Sequence, residues 1–193
     1  MNRISIALLT TVFAIGLPAI ASAEGPHVAP VKAYVADNVD GWLDDPVVIE
    51  AVKAQNAAHA GITQADIDAM DGKWREETGA SSKPMIDEVL TNELSAFLKE
   101  RKEESGGLIS EVFVMDNKGL NVGQSDVTSD YWQGDEAKFE KSFGAGADAV
   151  FVDEIEEDES SQTLQSQVSK TVVDPQSGEA IGAVTVGVNV DNL

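Results

Sequence analysis

The segment Asp130-Tyr131-Trp132-Gln133-Gly134-Asp135-Glu136 sets two large aromatic rings among three carboxylates. An aromatic face beside a carboxylate suits an amine or a quaternary ammonium, through cation–π attraction and a charge-assisted hydrogen bond. The same residues also fit a structural role, with the rings plugging a sheet face and Asp135-Glu136 favouring a helix N-terminus. A second concentration, Asp153 to Glu159, holds six acids in seven residues. Clustered carboxylates can take calcium, which wants several oxygens. The Asp-x-Asp-x-Asp-Gly spacing is missing, however, and alternate strand side chains point apart, so a charged strand end is the plainer reading.

Catalytic patterns are absent from the sequence. There is no cysteine, and His27 and His59 are the only imidazoles, too isolated in the chain to make a metal site. Ser125 in Gly-Gln-Ser-Asp lacks the glycine that completes a nucleophile elbow. Gly144-Ala145-Gly146 precedes a strand pattern, not a helix, so it is no phosphate cradle. The expectation is a protein that binds and does not catalyse, with no cofactor implied.

Charge narrows the partners. With 34 acids against 13 basic residues, the formal charge is -21. Such a chain repels phosphate backbones and anionic headgroups, which argues against nucleic acid as a partner. Cationic ligands, basic partners and divalent metals stay open, as does plain solubility. At the N-terminus, Arg3 precedes an apolar run from Ile4 to Ile15, and Ala21-Ser22-Ala23 supplies small residues for a signal peptidase. Residues 1–23 therefore read as a secretory signal peptide cleaved after Ala23. The alternative is an uncleaved anchor, against which Gly16 and Pro18 interrupt the run. A signal without a lipidation cysteine or disulfides suits a bacterial periplasm, the expected location.

The elements that must position these residues fall into a helical half and a strand-rich half. Residues 24–40, with Pro26 and Pro30 and no period, read as a flexible lead-in. Asp45-Pro46 looks like a helix start, with a capping carboxylate and a proline at the first helical position; its apolar stripe fades into alanines before Gly61. Thr63 with Asp66 three residues on reads as a capped helix, and Ile67, Met70 and Trp74 share one face, which makes Trp74 core. A third helix opens at Pro84 and is expected to run to Glu104, before Ser105-Gly106-Gly107. Then the period changes: Leu108 to Met115, a turn at Asp116 to Gly119, and a returning strand through Leu120 and Val122. A loop and a short helix around Glu136 to Phe143 precede strands at Ala149 to Ile155, Leu164 to Val173 and Ala180 to Val190. Helices followed by strands imply an α+β fold, N-terminal helices packed on a five-stranded antiparallel sheet.

Several stretches resemble the single Cache domain, an extracytoplasmic PAS-like sensor family. Val112 to Gly119 is similar to its first hairpin, a hydrophobic strand followed by an Asp-x-x-Gly turn. Gly123-Gln124-Ser125-Asp126 and Asp130 to Glu136 resemble its central segment. Val172-Val173-Asp174 and Ile181 to Gly187 resemble its last two strands. The resemblance implies one domain over 41–193, helical over 41–106 and sheet over 107–193. It also implies a ligand pocket beneath the central segment, with Tyr131, Trp132, Asp135, Ser125 and Asp126 in contact, and Asp158 and Ser160 by analogy. Such domains usually lead into a membrane helix, whereas this sequence stops three residues after its last strand. The expectation is a periplasmic sensor of a small molecule, an amine or amino-acid-like ligand. It would signal through a separate membrane-bound receptor or histidine kinase, with the helical half able to support a homodimer. The alternative is an acidic structural or calcium-binding protein without such a pocket.

Overall fold

A computed structural model describes residues 24–157 and 163–193. The proposed signal segment, Asp158 and Ser160 lie outside the described residues, as does the end of the acidic run. Among the described residues no helix is long and apolar enough to cross a membrane.

Among the described residues, seven α-helices and five strands follow in order: α1 (Val28–Asn38), α2 (Asp40–Leu43), α3 (Pro46–Ala58), α4 (Gln64–Thr78), α5 (Pro84–Leu90), α6 (Glu93–Glu104), β1 (Ile109–Met115), β2 (Asn121–Gln124), α7 (Ala137–Glu140), β3 (Val150–Glu157), β4 (Leu164–Val173) and β5 (Ala180–Asn189). The expected α+β fold is what forms. The lead-in is a correction: residues 28–38 are helical, and Val28, Val31 and Val35 are buried. Pro30 is tolerated because it stands in the first turn, where backbone N–H groups have no helical partner. His27, just before α1, makes a 3.0 Å hydrogen bond to the Asp153 carbonyl of β3.

Local chemistry explains the helix ends. Asp45 accepts from the Val47 N–H at 2.9 Å, and Thr63 and Asp66 form the reciprocal capping box expected of them. The third predicted helix is in fact two. Asn92 accepts from the Ser95 N–H at 2.7 Å, starting α6 afresh, and donates to the Val122 carbonyl of β2 at 2.8 Å. The preceding helix α5 has no side-chain cap of its own. The buried Glu77 of α4 takes that role, accepting from the Met85 and Ile86 N–H groups at 2.8 and 3.1 Å. Asn92→Ala removes a cap and an interelement bond together and is expected to cost about 1–2 kcal/mol. A lowered urea midpoint at unchanged slope would register it; an unmoved midpoint would refute the role of Asn92.

All strand pairs are antiparallel, in the spatial order β2-β1-β5-β4-β3. One sheet face is aliphatic. Val112, Val114, Val168, Val172, Val184, Val186 and Val188 pack there against Val31, Val35, Val48, Val52, Leu94 and Leu98 of the helices. Each such side chain taken out of water contributes roughly 1.5–3 kcal/mol, which makes this face the main core. The strand order has a topological consequence: β2 and β3 are consecutive in sequence yet occupy opposite edges. The connection between them must cross the whole sheet. It crosses on the face away from the main core, where Phe139 of α7 packs on Phe113, Met115 and Ala183.

Candidate functional site

The face beneath that crossing is built unlike its opposite. The alternate residues of β4 pointing there are Gln165, Gln167, Ser169 and Thr171, all polar and all buried. A polar row of period two ordinarily faces water. Here it is covered, and its groups are hydrogen-bonded to β1, β5 and the crossing segment. Gln165 and Gln167 donate to one Glu111 oxygen at 3.2 and 2.9 Å, Ser110 also bonds Gln165, and Ser169 and Thr185 share a hydrogen bond of 2.9 Å. Gly187 makes the convergence possible, since a Cβ at that position would overlap Gln165, Ser110 and Glu111.

Between this row and the crossing segment lies a niche of about 710 Å³, within the range typical of small-molecule sites. Glu111, Asp126, Glu156 and Glu157 bring carboxylates to its wall, and among the described residues Lys138 is the one basic side chain lining it. Lys138 is itself engaged, 3.0 Å from Glu136 and 5.5 Å above the centre of the Phe113 ring. The niche is therefore acidic, with an aromatic floor already facing an ammonium. Gln124, paired with Phe113 across β1 and β2, leaves its buried Nε2 without a hydrogen-bond partner among the described residues.

The residues expected at the pocket separate into two groups. Asp126 lines the niche, accepting from Lys102 Nζ and Ser125 Oγ, both at 2.6 Å. Ser125 stands behind it, buried, and also accepts from the Val112 N–H at 2.9 Å. Tyr131 and Trp132 turn to the other side of the molecule. Asp71 of α4 accepts from both of their backbone N–H groups, at 3.0 and 3.1 Å, and pulls the segment toward the helices. Tyr131 then stacks on Trp74, with ring centroids 5.4 Å apart, and Trp132 donates through Nε1 to the Lys118 carbonyl at 2.8 Å. Burial pushes the Tyr131 phenol well above its ordinary pKa, and the charges of Asp116 and Glu88 add to the rise. Asp135 is exposed, and its charge acts on Arg75. That guanidinium is held charged chiefly by its bond to Asp71, and it lies 2.9 Å from Asp130 Oδ1, an ion pair without hydrogen-bond alignment.

Sequence reasoning passed over Glu111, Gln165, Gln167 and Asp71. The signal for the two glutamines was the polar alternation of β4 opposite a glycine in β5. Asp71 carried no signal beyond its spacing from Arg75, a spacing common on any exposed helix. Among the described residues no three acids or histidines are placed to hold a metal ion.

No family model matches the chain, and no curated protein matches it. Similar solved structures are sensor domains of histidine kinases and chemoreceptors. The sensor domain of the V. cholerae histidine kinase DctB is 14% identical over 85% of this chain and 50% of its own, with a TM-score of 0.49. The ligand-binding domain of the Campylobacter jejuni chemoreceptor Tlp3 in complex with 4-methylisoleucine is 12% identical over 80% of this chain and 64% of its own, with a TM-score of 0.41. The Tlp3 sensory domain with isoleucine bound is 12% identical over 88% and 66%, with a TM-score of 0.40. The chain thus spans between half and two thirds of the length of these structures.

Proposed function

We propose that this chain is an extracytoplasmic sensor domain of the Cache type, which takes a small amine or amino-acid-like ligand into the niche between sheet and crossing segment. It binds without catalysing and passes the signal to a separate membrane-bound receptor or histidine kinase. One observation carries the reading: the buried polar row of β4 converges on the Glu111 carboxylate inside a niche whose other walls are acidic. Polar groups cost free energy to bury, and a face that could have been valine, as its opposite is, holds amides instead. An ammonium group would find the carboxylates of Glu111 and Asp126 and the face of Phe113. The aromatic-plus-acid pairing expected at Tyr131 and Trp132 is thereby assigned to Phe113 and Glu111.

A thermal-shift screen of the purified protein against amines, amino acids, organic acids and calcium tests this. A ligand at a hundred times its dissociation constant raises stability by about 2.7 kcal/mol, so weak binders register at millimolar concentration. The expected result is stabilisation by amino acids that Glu111→Gln abolishes while the unliganded protein still melts cooperatively. Stabilisation by calcium alone, or an amino-acid effect untouched by Glu111→Gln, would overturn the assignment.

A further inference from the structure

A second cavity lies on the helix side of the sheet, away from the niche. It is a cleft of about 920 Å³ between α3, α4 and α5, with Leu94 and Val122 at its base and Tyr131 in its wall. Its origin is legible in α3. Val47, Ala51, Ala54 and Ala58 follow helical spacing along one stripe, and three of the four are alanines, too small to fill the space before them. Met85 and Val89 of α5 line the same space, one turn apart. A hollow of this size with a mainly apolar lining is what a small-molecule site requires.

The polar groups at this cleft share one bias. Glu50, Glu88 and Glu93 stand at its rim, exposed, and make no hydrogen bond or ion pair among the described residues. Lys73, the lysine at the cleft, is 3.8 Å from Glu77. His59 completes the set, and its geometry fixes which of its nitrogens is available. Its Nδ1 lies 2.8 Å from Asp116 Oδ2. Asp116 is fully buried and already accepts from the Lys118 and Leu120 N–H groups at 2.8 and 3.0 Å and from Gln55 at 3.0 Å. A carboxylate among three other donors acts as an acceptor here too, so the shared proton resides on Nδ1. In the neutral imidazole that leaves Nε2 with a lone pair, and Nε2 has no partner among the described residues.

We propose that this cleft is a second ligand site and that its ligand is a hydrophobic amine. The apolar body lies between the alanines of α3 and Met85 and Val89 of α5. The ammonium meets the rim carboxylates, with His59 in the same wall. An anion of the same shape is excluded by the three glutamates, and a neutral analogue forgoes their attraction. The site is independent of the niche, which uses the other face of the sheet.

Titration calorimetry of the purified protein with 2-phenylethylamine, 2-phenylethanol and 3-phenylpropanoate provides the test. The amine is expected to bind with unit stoichiometry at this cleft, the alcohol about tenfold more weakly, and the carboxylate not measurably. Ala54→Trp, on an exposed position of α3, fills the cleft and is expected to abolish the amine signal. The combined Glu50→Gln, Glu88→Gln and Glu93→Gln variant removes only exposed charges and should weaken binding about tenfold with the melting temperature little changed. Glu111→Gln in the niche should leave this binding intact. No heat with the amine, or equal affinity for amine and alcohol, overturns the proposal. Loss in Glu111→Gln with retention in Ala54→Trp also overturns it, placing the amine in the niche and leaving the sensor reading standing.

Discussion

Trp74→Ala is expected to destabilise the protein by about 3–5 kcal/mol, the range for deleting a large buried aromatic side chain. Trp74 is fully buried in a small core apart from the main one, together with Ile67, Ile86, Val89, Leu120 and Tyr131. Its ring stacks on Tyr131 and its Nε1 donates to the Thr128 carbonyl at 2.9 Å. It thus joins α4 to two points on the segment that crosses the sheet. Since Thr128 also lines the niche, the substitution should weaken ligand binding there as well as stability. Trp74→Phe keeps the stacking and loses only the hydrogen bond, so its cost should be smaller, about 1–2 kcal/mol. Urea unfolding followed by circular dichroism reads both. A loss below about 1.5 kcal/mol for the alanine variant would mean that this cluster does not unfold with the rest of the domain.

The contrast between Trp74 and the pair Tyr131 and Trp132 shows where sequence reasoning reached and where it stopped. Trp74 sits on a helix, and helical spacing alone placed it with Ile67 on an inward face. Tyr131 and Trp132 sit in an irregular segment, whose side chains have no period to fix their direction. What turns them is Asp71, sixty residues earlier, gripping their backbone N–H groups. No local pattern announces a bond of that kind. The strands were legible because β-branched runs and turn residues bracket them, down to the limits of β4. The meaning of β4 was not. Gln165, Gln167, Ser169 and Thr171 look like a solvent-facing row until the strand order places an edge-to-edge crossing above them. Helix α1 was hidden by Pro30, which breaks a helix in its interior but not in its first turn. For the crossing segment and for β4 the missing information is tertiary, and it concerns what covers a residue more than what the residue is.

Asp116→Ala should rival Trp74→Ala in its effect although it removes only a few atoms. One Asp116 oxygen accepts from the Lys118 and Leu120 N–H groups and closes the turn between β1 and β2. The other accepts from Gln55 and His59 and ties the end of α3 to that turn. The turn in turn holds the crossing segment, since Gly119 accepts from the Gln133 N–H and Lys118 from Trp132 Nε1, both at 2.8 Å. The approach is close enough that a Cβ on Gly119, at φ 82°, would lie 2.5 Å from Gly134 Cα. Removing the carboxylate leaves buried donors without an acceptor, a class of change that costs about 3–5 kcal/mol when the lost group is a buried charge. Asp116→Asn preserves the shape but turns an amide toward some of these donors, so an intermediate loss of about 2 kcal/mol is expected. A double-mutant cycle with His59→Phe separates the interelement tie from the turn, and a coupling of at least about 1 kcal/mol is expected for groups in direct contact. Additive effects would show that the turn stands without α3. In that event His59 has no anchor, and the tautomer that offers its Nε2 to the cleft loses its physical cause.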